Sequence, residues 1–165
     1  MDPERKLKVR TGNDPGDLEK LTELHKAIYT AEYDLDGTYV EEMSEQFREF
    51  FQRSDPRERL WIVEKDGKVL GSMAALRWSD DTAVLRWLLI HPDLRGRGLG
   101  KRLMKEAIGF SREVGYRKAF LWTLDILKAA ASIYRSLGFE LAEEEYRNKW
   151  GHVFKHQRYE LWFGS

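Results

Sequence analysis

Ile90-His91-Pro92-Asp93-Leu94-Arg95-Gly96-Arg97-Gly98-Leu99-Gly100-Lys101-Arg102-Leu103 joins two segments of different periodicity. Before it, residues 83–90 are almost continuously apolar, interrupted by Arg86, as suits a central strand covered on both faces. After it, Leu99, Leu103, Ala107, Phe110 and Val114 recur at helical spacing, and Gly115 follows at the C′ position. Glycines between such a strand and helix let the backbone approach an anion closely. The first helical amides lack intrahelical partners and the helix dipole adds positive charge, so a phosphate or pyrophosphate is the natural ligand.

Two known phosphate patterns do not fit. A Walker loop needs Gly-x-x-x-x-Gly-Lys-Ser/Thr, but Arg95 stands at the first glycine and Arg102 follows Lys101. The dinucleotide fingerprint needs Gly-x-Gly-x-x-Gly, whereas this chain has Gly-x-Gly-x-Gly. Arg-x-x-Gly-x-Gly fits. The competing readings are a plain glycine-rich connection and an Arg-Gly RNA-binding tract, the latter disfavoured because the repeat stops where the helical pattern begins.

Outward from this turn, residues 6–10 alternate charged and apolar side chains and predict a first strand. Asp14, as N-cap, and Pro15 open a helix carrying Leu18, Leu21, Leu24, His25 and Ile28 on one face toward Tyr33. Asp36-Gly37 breaks it, and a second helix with Val40, Met43, Phe47 and Phe50 on one face ends near Asp55-Pro56. Residues 60–64 and 68–76 form a hairpin through Asp66-Gly67. Beyond the glycine turn come a strand at 118–124, a short helix at 127–137 stopped by Gly138, and strands near 140–146 and 157–163. The order β-α-α-β-β-β-α-β-α-β-β predicts an α/β fold, a mixed sheet with helices on both faces, as a single domain over residues 1–165.

Composition narrows function. The chain has 28 Lys+Arg against 28 Asp+Glu and a formal net charge of +0, which disfavours nonspecific nucleic-acid binding. It has no cysteine, excluding a disulfide framework, a thiolate metal site and a cysteine nucleophile. The N-terminus lacks the apolar stretch of a secretory signal, and no apolar run is long enough to span a bilayer, so a cytoplasmic location away from membranes is expected. His25, His91, His152 and His156 show no metal-ligand spacing, and no metal is expected.

The stretch 90–103 resembles the acetyl-CoA pyrophosphate motif of the GNAT superfamily of N-acetyltransferases. Ala130-Ala131-Ser132-Ile133-Tyr134-Arg135-Ser136-Leu137-Gly138-Phe139 is similar to that superfamily's second signature, Ala-x-x-x-Tyr-x-x-x-Gly-Phe. The element order is also the GNAT order. The resemblance implies a mostly antiparallel sheet of six to seven strands flanked by about four helices, its central strand splayed. Residues 120–125 to Tyr134, Trp150-Gly151 and Arg158-Tyr159-Glu160-Leu161 further resemble the acetyltransferase half of MarR-type regulator fusions, with no room in 165 residues for the regulator.

The resemblance implies acetyl-CoA as acetyl donor and direct transfer to the amine of a small-molecule acceptor. The backbone around Arg95, Gly96, Arg97, Gly98, Leu99, Gly100 and Lys101 would cradle the pyrophosphate. Leu88, Leu89 and Ile90 would pair with the pantetheine arm, and an amide near Leu88 would stabilise the oxyanion. Tyr134 would protonate the departing thiolate; its competing reading is a core aromatic. Relatives often carry a basic carboxylate where this chain has Val84 and Trp122, and an Asn where it has Leu127. The general base is therefore Asp81, Asp125, Glu32 or a water relay, with Asp125 alternatively capping the following helix. Tyr29, Tyr33, Trp122 and His152 are candidate acceptor contacts. Arg86 is either a structural ion-pair partner or a clamp for an acceptor carboxylate. The rival functions are a non-catalytic acyl-CoA sensor and an acetyltransferase of protein or peptide amines; a homodimer is common in the family.

Overall fold

A computed structural model describes residues 7–164, leaving Lys6 of the predicted first strand outside. Strands β1 (Leu7–Thr11), β2 (Arg59–Lys65), β3 (Lys68–Arg77), β4 (Thr82–Ile90), β5 (Lys118–Leu124), β6 (Glu140–Lys149) and β7 (His152–Trp162) form one sheet in the order β1-β2-β3-β4-β5-β7-β6. Every neighbouring pair is antiparallel except β4–β5. Helices α1 (Asp17–Tyr33) and α2 (Gly37–Gln52) cover one face, burying Leu21, Phe47 and Phe50 against Ile62, Val84 and Trp87. On the other face α3 (Leu99–Glu113) and α4 (Lys128–Ser136) bury Leu103, Met104 and Tyr134 against Met73, Leu85 and Leu121. The predicted mixed, mostly antiparallel α/β fold is what forms.

Local chemistry explains most boundaries. Asp66 (φ 53) and Gly67 (φ 76) make the tight β2–β3 turn the sequence predicts. Helix α1 ends before the expected Asp36-Gly37 break, capped by Asp34 in a left-handed conformation (φ 53), and Asp36 caps α2, its carboxylate accepting from the Thr38 amide at 2.9 Å. Gly115 (φ 95) closes α3 as expected.

Four expectations change. Asp14 is not the α1 cap; Gly16 holds that position in a left-handed conformation (φ 88). The carboxylate serving this turn is Asp17, which accepts from the Asp14 amide at 2.9 Å and from Arg10 Nη2 at 2.7 Å. Burial works to raise the Asp17 pKa, and Arg10 with the two turn amides more than reverses it, leaving it lowered. Likewise Leu127, not Asp125, occupies the α4 cap, without a side-chain bond. The Asp125 amide instead donates to the Lys155 carbonyl at 3.0 Å, extending the β5–β7 edge. Helix α2 stops at Gln52, short of Asp55-Pro56, because Arg53 turns extended and grips Glu58 at 2.7 Å. Finally, β6 and β7 run closer together than predicted, joined by Trp150 (φ 58) and Gly151 (φ 87), so His152 starts a strand rather than lying in a loop.

Candidate active site

Strands β4 and β5 pair over three rungs, Thr82–Lys118, Ala83–Ala119 and Val84–Phe120, and then part. The opening is one end of a cavity of about 890 Å³ running from the glycine turn, past α4, to the sheet face under α1 and α2. Leu88, Leu89 and Ile90 line it along the freed edge of β4.

A bulge aims that edge. Ser72 pairs with Leu89 and Ala74 with Arg86, so two steps along β3 match three along β4. The extra residue is absorbed at Trp87, whose φ of 64 is a strained value for a bulky side chain. Ser72 Oγ donates to the Trp87 carbonyl at 2.5 Å. In a trans peptide the carbonyl and the next N–H point oppositely. The Leu88 N–H is thereby turned away from β3, toward the side where β4 has lost its neighbour. With the serine proton committed, His25 Nε2, 3.2 Å from Ser72 Oγ, must be the donor to it. His25 Nδ1 is left to accept from Tyr39 Oη at 3.4 Å. Complete burial of this imidazole pushes its pKa from 6.5 down to about 3, so it is neutral and the chain Tyr39–His25–Ser72–Trp87 is directional.

At the turn, Gly96 (φ 78) and Gly98 (φ 77) adopt left-handed conformations, and a Cβ at either would meet nothing within 4 Å. Their open faces and the free amides at the start of α3 make a site that fits a pyrophosphate. Arg95, Gly96, Gly98, Leu99, Gly100 and Lys101 line the cavity, whereas the Arg97 side chain is exposed outside it. Arg95 also bridges to α1, donating to Glu32 at 3.0 Å and to the Ile90 carbonyl at 3.0 Å. Tyr134 lies on the cavity side of α4, 5.9 Å from the Tyr159 ring. It has no hydrogen-bond partner among the described residues, and its hydroxyl is not sealed in the interior. Burial, with Tyr29 and Tyr159 nearby, raises its pKa, keeping the phenol protonated.

Tyr29, Tyr33, Arg86 and Trp122, the candidate acceptor contacts, all line the cavity. Tyr29 packs 4.7 Å from Tyr39 and 5.5 Å from Tyr33. Arg86 has no ion pair among the described residues, so the structural ion-pair alternative is not realised. His152 does not reach the cavity; its Nε2 lies 3.0 Å from the Asp34 carbonyl, tying β7 to the end of α1. Nor do the three carboxylates considered as bases. Asp81 sits at the opposite end of β4, held by Ser79 and Thr82 hydroxyls, Asp125 is exposed, and Glu32 is bound to Arg95. The carboxylate that does line the cavity is Glu42 of α2, bonded to Lys149 at 2.9 Å and to Trp150 Nε1 at 2.7 Å. His156, on β7, also lines it, and its Nε2 is buried with no hydrogen-bond partner among the described residues. Neither was singled out from sequence: Glu42 is one of several acids on an amphipathic helix, and His156 belongs to no recognisable spacing.

Residues 18–139 match the model of the acetyltransferase (GNAT) family. An uncharacterized N-acetyltransferase of Schizosaccharomyces pombe is 30% identical over 123 residues, covering 73% of this chain and 75% of that protein. YjgM, an uncharacterized N-acetyltransferase of Escherichia coli, is 38% identical over 90 residues, 53% of this chain and 54% of the relative. The chain thus spans about half the length of several curated relatives it matches. The YncA structure of Salmonella typhimurium, solved with its cofactor acetyl-CoA, superposes with a TM-score of 0.78 over 96% of this chain and 95% of that one. At 18% identity that likeness is one of fold.

Proposed function

The chain belongs to the GNAT acetyltransferase family, and from that premise we propose that it moves the acetyl group of acetyl-CoA directly to the amine of a small-molecule acceptor, both bound together. The observation that carries this reading is the meeting, in one cavity, of the glycine turn, the freed β4 edge and the unpartnered Tyr134. Acetyl-CoA supplies an activated acyl group. The amides of residues 96–101 would hold its pyrophosphate, with Lys101 and Arg95 adding charge. Residues 88–90 would pair with the pantetheine arm, and the Leu88 N–H would donate to the thioester oxygen as it gains negative charge. The neutral amine then forms the C–N bond while the C–S bond breaks and its electron pair leaves on sulfur. Tyr134 Oη–H would give that sulfur its proton, a role its raised pKa suits. Without a cysteine in the chain, no acyl-cysteine can intervene.

The amine's proton must leave as well. Asp81, Asp125 and Glu32 stand off the cavity, which leaves a water relay or Glu42, the carboxylate that lines it among the described residues, to take the proton. The same observation is what favours the second reading, a sensor that binds acyl-CoA without turnover. Residues 1–165 as one catalytic domain, the narrower likeness to regulator-fused acetyltransferases, a homodimer and a cytoplasmic setting all belong to this proposal; among the described residues no helix is long and apolar enough to cross a membrane. Thiol release from acetyl-CoA, screened across small amines and peptides, tests the two readings. Amine-dependent release that falls in Tyr134→Phe supports transfer; tight CoA binding with no turnover of any amine supports the sensor. Peptides outperforming small amines would move the acceptor class to protein termini.

A further inference from the structure

Three cations line the acceptor side of the cavity, and two of them are already neutralised. Lys149 is held by Glu42 at 2.9 Å. Arg147 pairs with Glu145 on its own strand and lies 4.5 Å over the Trp122 ring. Arg86 differs: it is half-buried, with no hydrogen bond or ion pair among the described residues. Burial and the field of Arg53 act against its charge; of the carboxylates whose fields support it, Glu42 and Glu58 are bound to Lys149 and Arg53, and Glu49 is exposed and forms no ion pair with it. A partly desolvated cation without a counterion is a cost that a fold ordinarily removes. Here the β4 bulge keeps it, on the cavity wall, two residues from Leu88.

We infer that Arg86 receives a carboxylate of the acceptor, which makes the acceptor a primary amine that also carries an acid, an α-amino acid in its simplest form. This rests on the acetyl-transfer reading for the fate of the amine. A planar guanidinium matches a carboxylate with two parallel hydrogen bonds, a geometry an ammonium lacks. Position agrees: two residues of strand place Arg86 and the Leu88 amide within about 7 Å of each other, so one small molecule can touch both. Charge agrees independently. Glu42 is the only carboxylate on the wall among the described residues, and with Lys149 and Arg147 each held by a carboxylate, Arg86 is the unpaired charge of the acceptor side. A site with one unpaired cation favours a zwitterion over a polycationic amine. Each Glu42 oxygen accepts one bond, from Lys149 or Trp150, and retains a lone pair for an incoming ammonium.

The test is a matched acceptor series in the thiol-release assay: free α-amino acids, their amides, the corresponding decarboxylated amines, and spermidine. We expect free acids to exceed their amides by roughly fiftyfold or more in kcat/KM. In Arg86→Gln that preference should vanish through a higher acceptor KM, with the KM for acetyl-CoA unchanged, and Arg86→Lys should retain part of it. Calorimetry of free amino acids with the CoA-saturated protein reads the site without turnover. Binding that disappears in Arg86→Gln, with no turnover in the native protein, keeps the carboxylate site and overturns acetyl transfer. Amides or spermidine turned over as well as free acids, indifferently to Arg86→Gln, overturns the carboxylate site and keeps acetyl transfer. Because Arg86 has no partner to lose, Arg86→Gln should melt at or above the native Tm. A large drop in Tm with loss of acetyl-CoA binding would assign Arg86 a structural role and overturn the inference.

Discussion

The two ends of the cavity are made of different material. The phosphate end is backbone: the amides of residues 96–101 and the freed edge of β4, contiguous in sequence. The acceptor end is side chains drawn from far apart, among them Tyr29 on α1, Glu42 on α2, Arg86 on β4, Trp122 on β5 and Arg147 on β6. A backbone site tolerates many side chains but not a change of conformation. A side-chain site can be remade one residue at a time while the sheet stays fixed. One scaffold can therefore keep its donor and vary its acceptor.

The contrast can be broken most severely at Gly98, whose Cβ position is open in the protein alone. Gly98→Val should cost about 1–2 kcal/mol of stability through the left-handed conformation, while acetyl-CoA affinity falls by roughly a hundredfold as the side chain fills the cradle. Denaturant melts beside calorimetry separate the two losses; equal losses would mean the turn is only structural. Next, Tyr134→Phe should lower kcat by roughly a hundredfold and leave the KM for acetyl-CoA unchanged. Ser72→Ala, releasing the Trp87 carbonyl and the aim of the Leu88 N–H, should lower kcat by roughly tenfold with both KM values intact; a change in KM alone would remove the bulge from the catalytic step.

Acid stability sharpens the same network. The unfolded chain protonates His25 near pH 6.5, while the folded protein resists until about pH 3. Between those values the unfolded state binds the extra proton, so stability falls as the pH drops. At pH 4.5 the loss from this one group is roughly 2–3 kcal/mol, and urea melts of His25→Gln at pH 7 and 4.5 should show a correspondingly flatter dependence. The smallest effect belongs to Asp125→Asn. It should leave kcat unchanged and alter stability by less than about 0.5 kcal/mol, because the side chain is exposed and the bond it anchors uses its amide.

What could be read in advance follows the same division. The Asp66-Gly67 turn, the Gly115 stop and the 96–100 cradle are local, and a short stretch of residues carries each. Asp14 misled because the carboxylate serving the α1 turn sits inside the helix at Asp17, with Arg10 from β1 fixing it. The bulge was hidden because residues 83–90 are apolar on both faces, which removes the alternation that would betray an inserted residue. Glu42 and His156 acquire meaning only when α2, β6 and β7 close over the same space.

The three rungs between β4 and β5 carry one more consequence. Backbone bonds across that seam are few, so the blocks β1–β4 and β5–β7 owe much of their mutual rigidity to packing alone. A donor seated along the open seam would act as a cross-tie. Amide exchange should then slow on both banks of the gap when acetyl-CoA binds, while the β2–β3 hairpin keeps its rate. During each turnover the substrate would stiffen the body that is cleaving it, and the molecule would loosen again as the spent thiol departs.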